Sequence, residues 1–385
     1  MKQRTDLVFP IPEFQRRLDA LRARMADRDL DAMLVTTPEN ITYLTGYQTT
    51  GYYYFQCVVV PASGEPFMVT RLLEHSNVET RTWVEHSRPF VDTQRPLAVL
   101  ADAMAEFGLA GKRIGYERHC YFFRATEQEE CFERLPNATF VDASGLIEEG
   151  RLIKSDAEIA IMRRAGRATE AAMMAAIEAA RPGVTENDVA AALHHAMFAA
   201  GGEYPACSPF VASGPRCSIG HATWEGRAIQ PDETVFLEIG GCVQRYHTAM
   251  MRNVYLGDPS AEMLEAEKLI QQAVKASMEA MKPGVKAGDV DALNREILAG
   301  NSFGAVQSTR SGYSIGLAFT PDWGEGHILS IQENEEKTFE AGMTFHLIPW
   351  IQIPGKAGIG LSETVLVTPE GGVALLDVER RLFVK

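Results

Sequence analysis

Arg181-Pro-Gly-Val-Thr-Glu-Asn-Asp-Val-Ala-Ala-Ala-Leu193 recurs further along the chain as Lys282-Pro-Gly-Val-Lys-Ala-Gly-Asp-Val-Asp-Ala-Leu293. Each copy follows a long helical pattern and opens another helix. Each also places an aspartate in the new helix's first turn, where the helix dipole favours negative charge. Strand patterns follow both copies. A match of this length is improbable by chance, so it predicts one domain built of two related helix-helix-strand halves. Such halves are expected to enclose a central cleft, a usual ligand site.

Upstream of the first copy, Ser155 with Glu158 three residues later reads as a capping box. The Ala- and Met-rich helix that follows runs from Ile159 to about Ala180, and Arg181-Pro-Gly stops it. Its methionines are expected in the core, as is usual where an Ala-rich helix packs closely on a sheet. The same core reading applies to His194 and His195 on the next helix. Downstream, Val235 to Gly241 and Tyr246 to Leu256 predict a hairpin joined by Cys242-Val-Gln-Arg. Gly342 to Gln352 and Gly360 to Thr368 predict the matching pair of the second half.

A boundary falls near Gly150–Lys154, dividing the chain into residues 1–150 and 151–385. In the first part, Phe14, Leu18, Leu21 and Met25 lie at helical spacing. Strand patterns follow from Ala32, Val58, Pro66, Arg113 and Thr139, with a helix over Leu97–Phe107. Alternating strands and helices predict a sheet with helices on its faces, so the fold class is α/β throughout.

At 385 residues the chain is long enough for two cores. No apolar run approaches the ~20 residues that span a bilayer, and Met1-Lys-Gln-Arg-Thr-Asp-Leu-Val-Phe lacks the pattern of a secretory signal. Six scattered cysteines without a CxxC pair argue against a disulfide framework and a zinc cluster. Cytoplasmic residence is the expectation. The net charge of -14 disfavours nucleic acid and anionic membrane, because both reward a basic face. A small molecule is therefore the expected partner.

Five stretches carry a family resemblance over about Ser155 to Thr368. They are Ser213-Gly with His221 eight residues on, Ile229-Gln-Pro-Asp-Glu-Thr-Val-Phe-Leu-Glu-Ile-Gly-Gly241, Tyr246-His-Thr-Ala-Met-Met-Arg252, Gly312-Tyr-Ser-Ile-Gly316 and Ser362-Glu-Thr-Val-Leu-Val-Thr368. Together they resemble the creatinase/aminopeptidase P/prolidase superfamily. The resemblance implies a pseudo-symmetric pita-bread catalytic domain preceded by a creatinase-like domain, assembled as a homodimer. In the family's metallopeptidases two Asp, one His and two Glu hold a pair of metal ions. The corresponding places here read Glu238, Ala249, Tyr313, Ile348 and Ser362. One carboxylate in five cannot hold a dinuclear centre, since hard cations need several oxygen or imidazole donors each. No metal and no other cofactor is expected. The run Tyr246 to Arg252 resembles creatinase, the metal-free member. The motifs around Tyr313, Asp322-Trp-Gly-Glu325, Phe345-His346 and Ser362-Glu363-Thr look most like the ectoine hydrolases, which open a cyclic amidine to an N-acetyl-diaminobutyrate.

Strand alternation says which side chains share the cleft, because residues i and i+2 project from one face. His247 shares a face with Ala249, and His346 with Ile348. His221, Glu238, His247 and Tyr313 are the expected catalytic residues. Glu238 lies within Val-Phe-Leu-Glu-Ile, and an unpaired buried carboxylate is costly, so it needs a cation, a network or a positively charged substrate. Histidine's intrinsic pKa of ~6.5 suits it to take and return a proton, the role expected of His221. Expected substrate contacts are His346, Glu363, Trp323, Glu325 and Tyr52. Glu363 should face away from Ser362 unless a bulge turns it. Trp323 lies in a Gly- and Asp-rich loop suited to a substrate wall. Tyr52 begins an aromatic run able to hold an organic cation. The resemblance implies that this run reaches the active site of the other subunit. Without a metal to activate water, the electrophile must already be activated. A protonated amidine meets that need better than a peptide carbonyl. The competing expectations are an Xaa-Pro peptidase with an unusual metal set, a creatinase-like amidinohydrolase acting on another guanidino compound, and a non-catalytic binding module.

Overall fold

The computed structural model describes residues 1–2, 4–305, 307, 309–353 and 357–385. The chain divides into two compact units, Met1–Arg151 and Leu152–Lys385.

The first unit is a six-stranded mixed sheet. Its strands are β1 (Ala32–Val35), β2 (Cys57–Pro61), β3 (Phe67–Val69), β4 (His86–Ser87), β5 (Arg113–Tyr116) and β6 (Thr139–Asp142), in the order β4-β3-β2-β1-β5-β6. Central strands β1 and β2 are buried along their whole length, which is why they read as continuous apolar runs rather than alternating ones. The helix Ile11–Ala26 buries Phe14, Leu18, Leu21 and Met25, the stripe that its spacing predicts. Arg17 joins that buried face because its guanidinium donates to the Tyr43 carbonyl and lies between the Phe9 and Tyr43 rings.

The second unit holds three sheets. Its strands are β7 (Phe210–Ser213), β8 (Thr234–Val243), β9 (Tyr246–Tyr255), β10 (Gly312–Ser314), β11 (Ser330–Ile331) and β12 (Thr344–Leu347). They continue with β13 (Trp350–Ile353), β14 (Ala357–Gly360), β15 (Glu363–Thr368), β16 (Gly371–Ala374) and β17 (Phe383–Val384). The sheet orders are β17-β9-β8-β7, β11-β10-β12-β15-β16 and β13-β14. A helix pair accompanies each half: Asp156–Ala179 with Glu186–Ala199, and Ala261–Ala280 with Ala287–Ala299. Each half has its own apolar core, one around Met173, Leu193, Leu237 and Met250, the other around Ile270, Val290, Phe345 and Val365.

The repeated Pro-Gly-Val motif makes the same turn twice. Gly183 and Gly284 both sit at φ 87°, open to glycine and strained for other residues. The Gly183 N–H donates to the Ile229 carbonyl and the Gly284 N–H to that of Phe339. Glu186 and Ala287 repeat the equivalence, donating to Arg227 and Lys337. Ser155 and Glu158 form the expected capping box.

Three details differ from expectation. The β8–β9 pairing runs through Cys242↔His247 and Val243↔Tyr246, leaving a two-residue turn of Gln244 and Arg245. Both have positive φ, as a type I′ turn requires. Arg245 holds that conformation because its buried guanidinium donates to the Ala318 and Tyr204 carbonyls. In the second half the long strand pair is interrupted at Ile348-Pro349. Thr344–Leu347 pairs with Glu363–Thr368, and a separate β13–β14 hairpin lies between them. Proline has no N–H to extend a ladder. His194 is half-buried, donating to the Ala190 carbonyl, while His195 is exposed rather than in the core.

Candidate active site

Register gathers several of the candidate side chains on one face of β7 and β8. Phe210 stands opposite Glu238, which stands opposite Met251 on β9. Gly240, two residues on, projects from the same face as Glu238. The Trp323 indole lies directly on Gly240: a Cβ there would sit 2.6 Å from ring carbon Cε3. Trp323 also meets the Phe210 ring at 5.6 Å, and His221 stacks on Phe210 at 5.2 Å and 25°. Glu238, Phe210, Trp323 and His221 thus form one continuous group. His221 is exposed and holds a left-handed backbone, φ 58°, a conformation uncommon outside glycine that aims its ring back over the strand face.

Glu238 is half-buried and makes no hydrogen bond or ion pair among the described residues. Loss of solvation, with the nearby negative charge of Asp322 adding to it, pushes its pKa up to about 8. A carboxyl in that state is short of a cation.

Beside it runs a hydrogen-bonded chain of buried side chains. The Trp323 Nε1–H donates to the Tyr313 hydroxyl oxygen at 2.9 Å. That hydroxyl lies 2.8 Å from His346 Nδ1, and His346 Nε2 lies 2.6 Å from Ser362 Oγ. Pairing of Tyr313 with His346 across β10 and β12 sets this geometry. Burial, with the Arg310 guanidinium adding to it, pushes the His346 imidazole down to about 3, so the ring is neutral. Both nitrogens of His346, expected as a substrate contact, have partners inside the protein.

Four further expected residues have partners within the chain. His247 is fully buried, with Nδ1 donating to the Arg245 carbonyl and Nε2 accepting from the Ala206 N–H. Desolvation pushes it down to about 3, and its two ring nitrogens join two backbone segments. Glu363 points away from Ser362 into a buried pair with Arg252 at 2.6 Å, with Arg380 at 3.1 Å. Glu325 forms a buried pair with Lys154 at 2.6 Å. In both cases the cation a carboxylate needs is supplied from within. Tyr52 belongs to the first unit, where its ring meets Phe122 edge-on at 5.3 Å and Tyr53 at 6.3 Å. Phe210 and Asp322 belong to the site although neither was singled out. Asp322 was legible in the quoted Asp-Trp-Gly-Glu run, while nothing in the sequence marks Phe210 except its strand register.

The donor set does not fit a dinuclear metal centre. Of the five positions, Ala249 and Ile348 carry no donor, and Tyr313 and Ser362 spend theirs on His346. Among the described residues no group of three or more His, Cys, Asp or Glu side chains could hold an ion.

The sequence profile of Metallopeptidase family M24 matches residues 160–369, and that of the Creatinase/Prolidase N-terminal domain matches residues 17–153. The chain belongs to the M24 family and carries the pita-bread fold. Among its relatives is the ectoine hydrolase of Halomonas elongata, 31% identical, with 98% of this chain and 99% of that one covered. The Xaa-Pro dipeptidase of Pyrococcus furiosus is 27% identical, over 95% of this chain and 99% of the other. A dipeptidase structure from Pyrococcus horikoshii superposes with a TM-score of 0.84 at 25% identity, covering 96% of this chain and all of that one. Among the described residues no helix is long and apolar enough to cross a membrane.

Proposed function

We propose that this protein hydrolyses a C–N bond in a small cyclic amidine without a metal ion, with ectoine the foremost substrate. The observation that carries the reading is Glu238, a carboxyl without an internal cation in a group walled by Phe210 and Trp323. An amidinium supplies the missing charge and presents an electrophilic carbon. Water, or Glu238 itself, attacks that carbon, and the C–N bond to the ring nitrogen breaks. In the direct route His221 takes the proton from water and returns it to the departing nitrogen, so the overall change is addition of one water. If Glu238 attacks, His221 protonates the departing nitrogen, and in a second step water gives its proton to His221 and converts the resulting O-acyl imidate to the amide, freeing Glu238. Tyr313 donates a hydrogen bond beside the breaking bond. Likeness to the Halomonas ectoine hydrolase supports the substrate. Likeness to Xaa-Pro dipeptidases supports peptide cleavage, but Ala249, Ile348 and Ser362 stand against the metal chemistry that reaction needs in this family.

Purified protein incubated with ectoine, with products followed by NMR, tests the proposal. The expected product is the ring-opened N-acetyl-diaminobutyrate. Glu238→Gln and His221→Ala should each lower kcat by roughly 10²–10⁴. A full-rate Glu238→Gln enzyme would remove the proposed basis of the reaction.

A further inference from the structure

Hydrogen positions in the Trp323–Tyr313–His346–Ser362 chain follow from counting donors and acceptors. Ser362 is fully buried, and its hydroxyl has His346 Nε2 as its partner among the described residues. Either tautomer leaves one hydroxyl hydrogen without an acceptor among the described residues. Ser362, at 0% exposure, is the more enclosed place for it than Tyr313, which is 7% exposed and neighbours Glu238, so the Ser362 hydrogen goes to Nε2. A neutral imidazole accepting at Nε2 carries its own proton on Nδ1. Nδ1–H then donates to the Tyr313 oxygen at 2.8 Å. Indole nitrogen is a donor only, so Trp323 donates to the same oxygen at 2.9 Å. With both lone pairs of the phenol taken, its hydrogen turns away from His346 and Trp323. Among the described residues Glu238, a neighbour of that hydroxyl, receives no hydrogen bond from it. The phenol hydrogen then has no acceptor among the described residues.

We infer that Ser362 and His346 are positioning residues that commit Tyr313 to donating a hydrogen bond to the substrate, on the atom that gains electron density as the C–N bond breaks. The tautomer itself stands on hydrogen-bond geometry and burial, while the substrate atom rests on the amidine reading of Glu238. Side chains at two of the family's metal-ligand positions would then set the direction of one proton.

The test uses the full chain labelled with ¹⁵N-histidine and long-range ¹H–¹⁵N correlation spectra, without substrate. His346 is identified among the nine histidines as the signal that moves in Ser362→Ala. The expected result is an unprotonated Nε2 and a protonated Nδ1. A protonated Nε2, with or without Nδ1, overturns the inference. Because no turnover is needed, this result is independent of the ectoine reading. With an active substrate, Ser362→Ala should lower kcat roughly tenfold with KM nearly unchanged, and Ser362→Thr, which keeps the hydroxyl, should restore most of it. Unchanged kcat in Ser362→Ala would show that the relay does not orient a reacting proton.

Discussion

Glu238 is the only carboxylate at the five inherited ligand positions, and its environment makes its ionisation costly. Its folded pKa of about 8 lies above the ordinary value of 4.5, so the folded state holds the proton more tightly than the unfolded one. Stability from this group is complete at low pH and is lost as pH rises through about 8. Glu238→Gln lacks that dependence. Its Tm should therefore pull ahead of the wild type as pH climbs from about 4.5 to about 8, by at most about 1.4 kcal/mol per pH unit. Parallel Tm curves would mean that Glu238 keeps an ordinary pKa. A cationic substrate competes with the same proton, so kcat/KM should rise over the upper part of that range. Glu238 was legible because a charge inside Val-Phe-Leu-Glu-Ile has no packing reason to be there. The role of His247 was not. Strand parity says which way a side chain points, but the Ala206 N–H that occupies its Nε2 lies 41 residues away.

At the level of elements, two contacts hold the site wall. The Trp323 indole lies on the backbone of β8 only because residue 240 is glycine. Gly240→Ala would force a Cβ to within 2.6 Å of Cε3, displacing the indole from Tyr313. That substitution should cost about 1–3 kcal/mol and reduce kcat more than Tm loss explains, measured by kinetics below the unfolding range. Full activity in Gly240→Ala would separate Trp323 from function. The Arg252–Glu363 pair ties β9 to β15 with both side chains buried. Glu363→Gln strands a buried guanidinium and should cost about 3–5 kcal/mol in urea unfolding, while the folded fraction keeps its turnover. Parity placed Glu363 away from Ser362, as found. Its partner Arg252 lies 111 residues upstream, so the chain by itself gives no sign that this carboxylate is already neutralised. The break at Ile348-Pro349 was, by contrast, written in the proline, yet the surrounding apolar run reads as one strand.

On the scale of the whole molecule, a scaffold shared with Xaa-Pro dipeptidases carries one carboxylate at the five positions where the family resemblance implies metal ligands. The repeat of Arg181-Pro-Gly and Lys282-Pro-Gly made the two halves of the second unit visible, because the same turn needs the same left-handed glycine in both. Composition said nothing about the site, which is a matter of a few positions. The proposed reaction runs on Glu238 and its neighbours without a metal. Its most direct test is ectoine turnover by protein dialysed against EDTA, with metal content measured on the same sample and Glu238→Gln as the control. Ring opening at an undiminished rate in metal-free protein, slowed roughly 10²–10⁴-fold in Glu238→Gln, is expected; ring opening or Xaa-Pro cleavage that EDTA abolishes and divalent metal restores would contradict it.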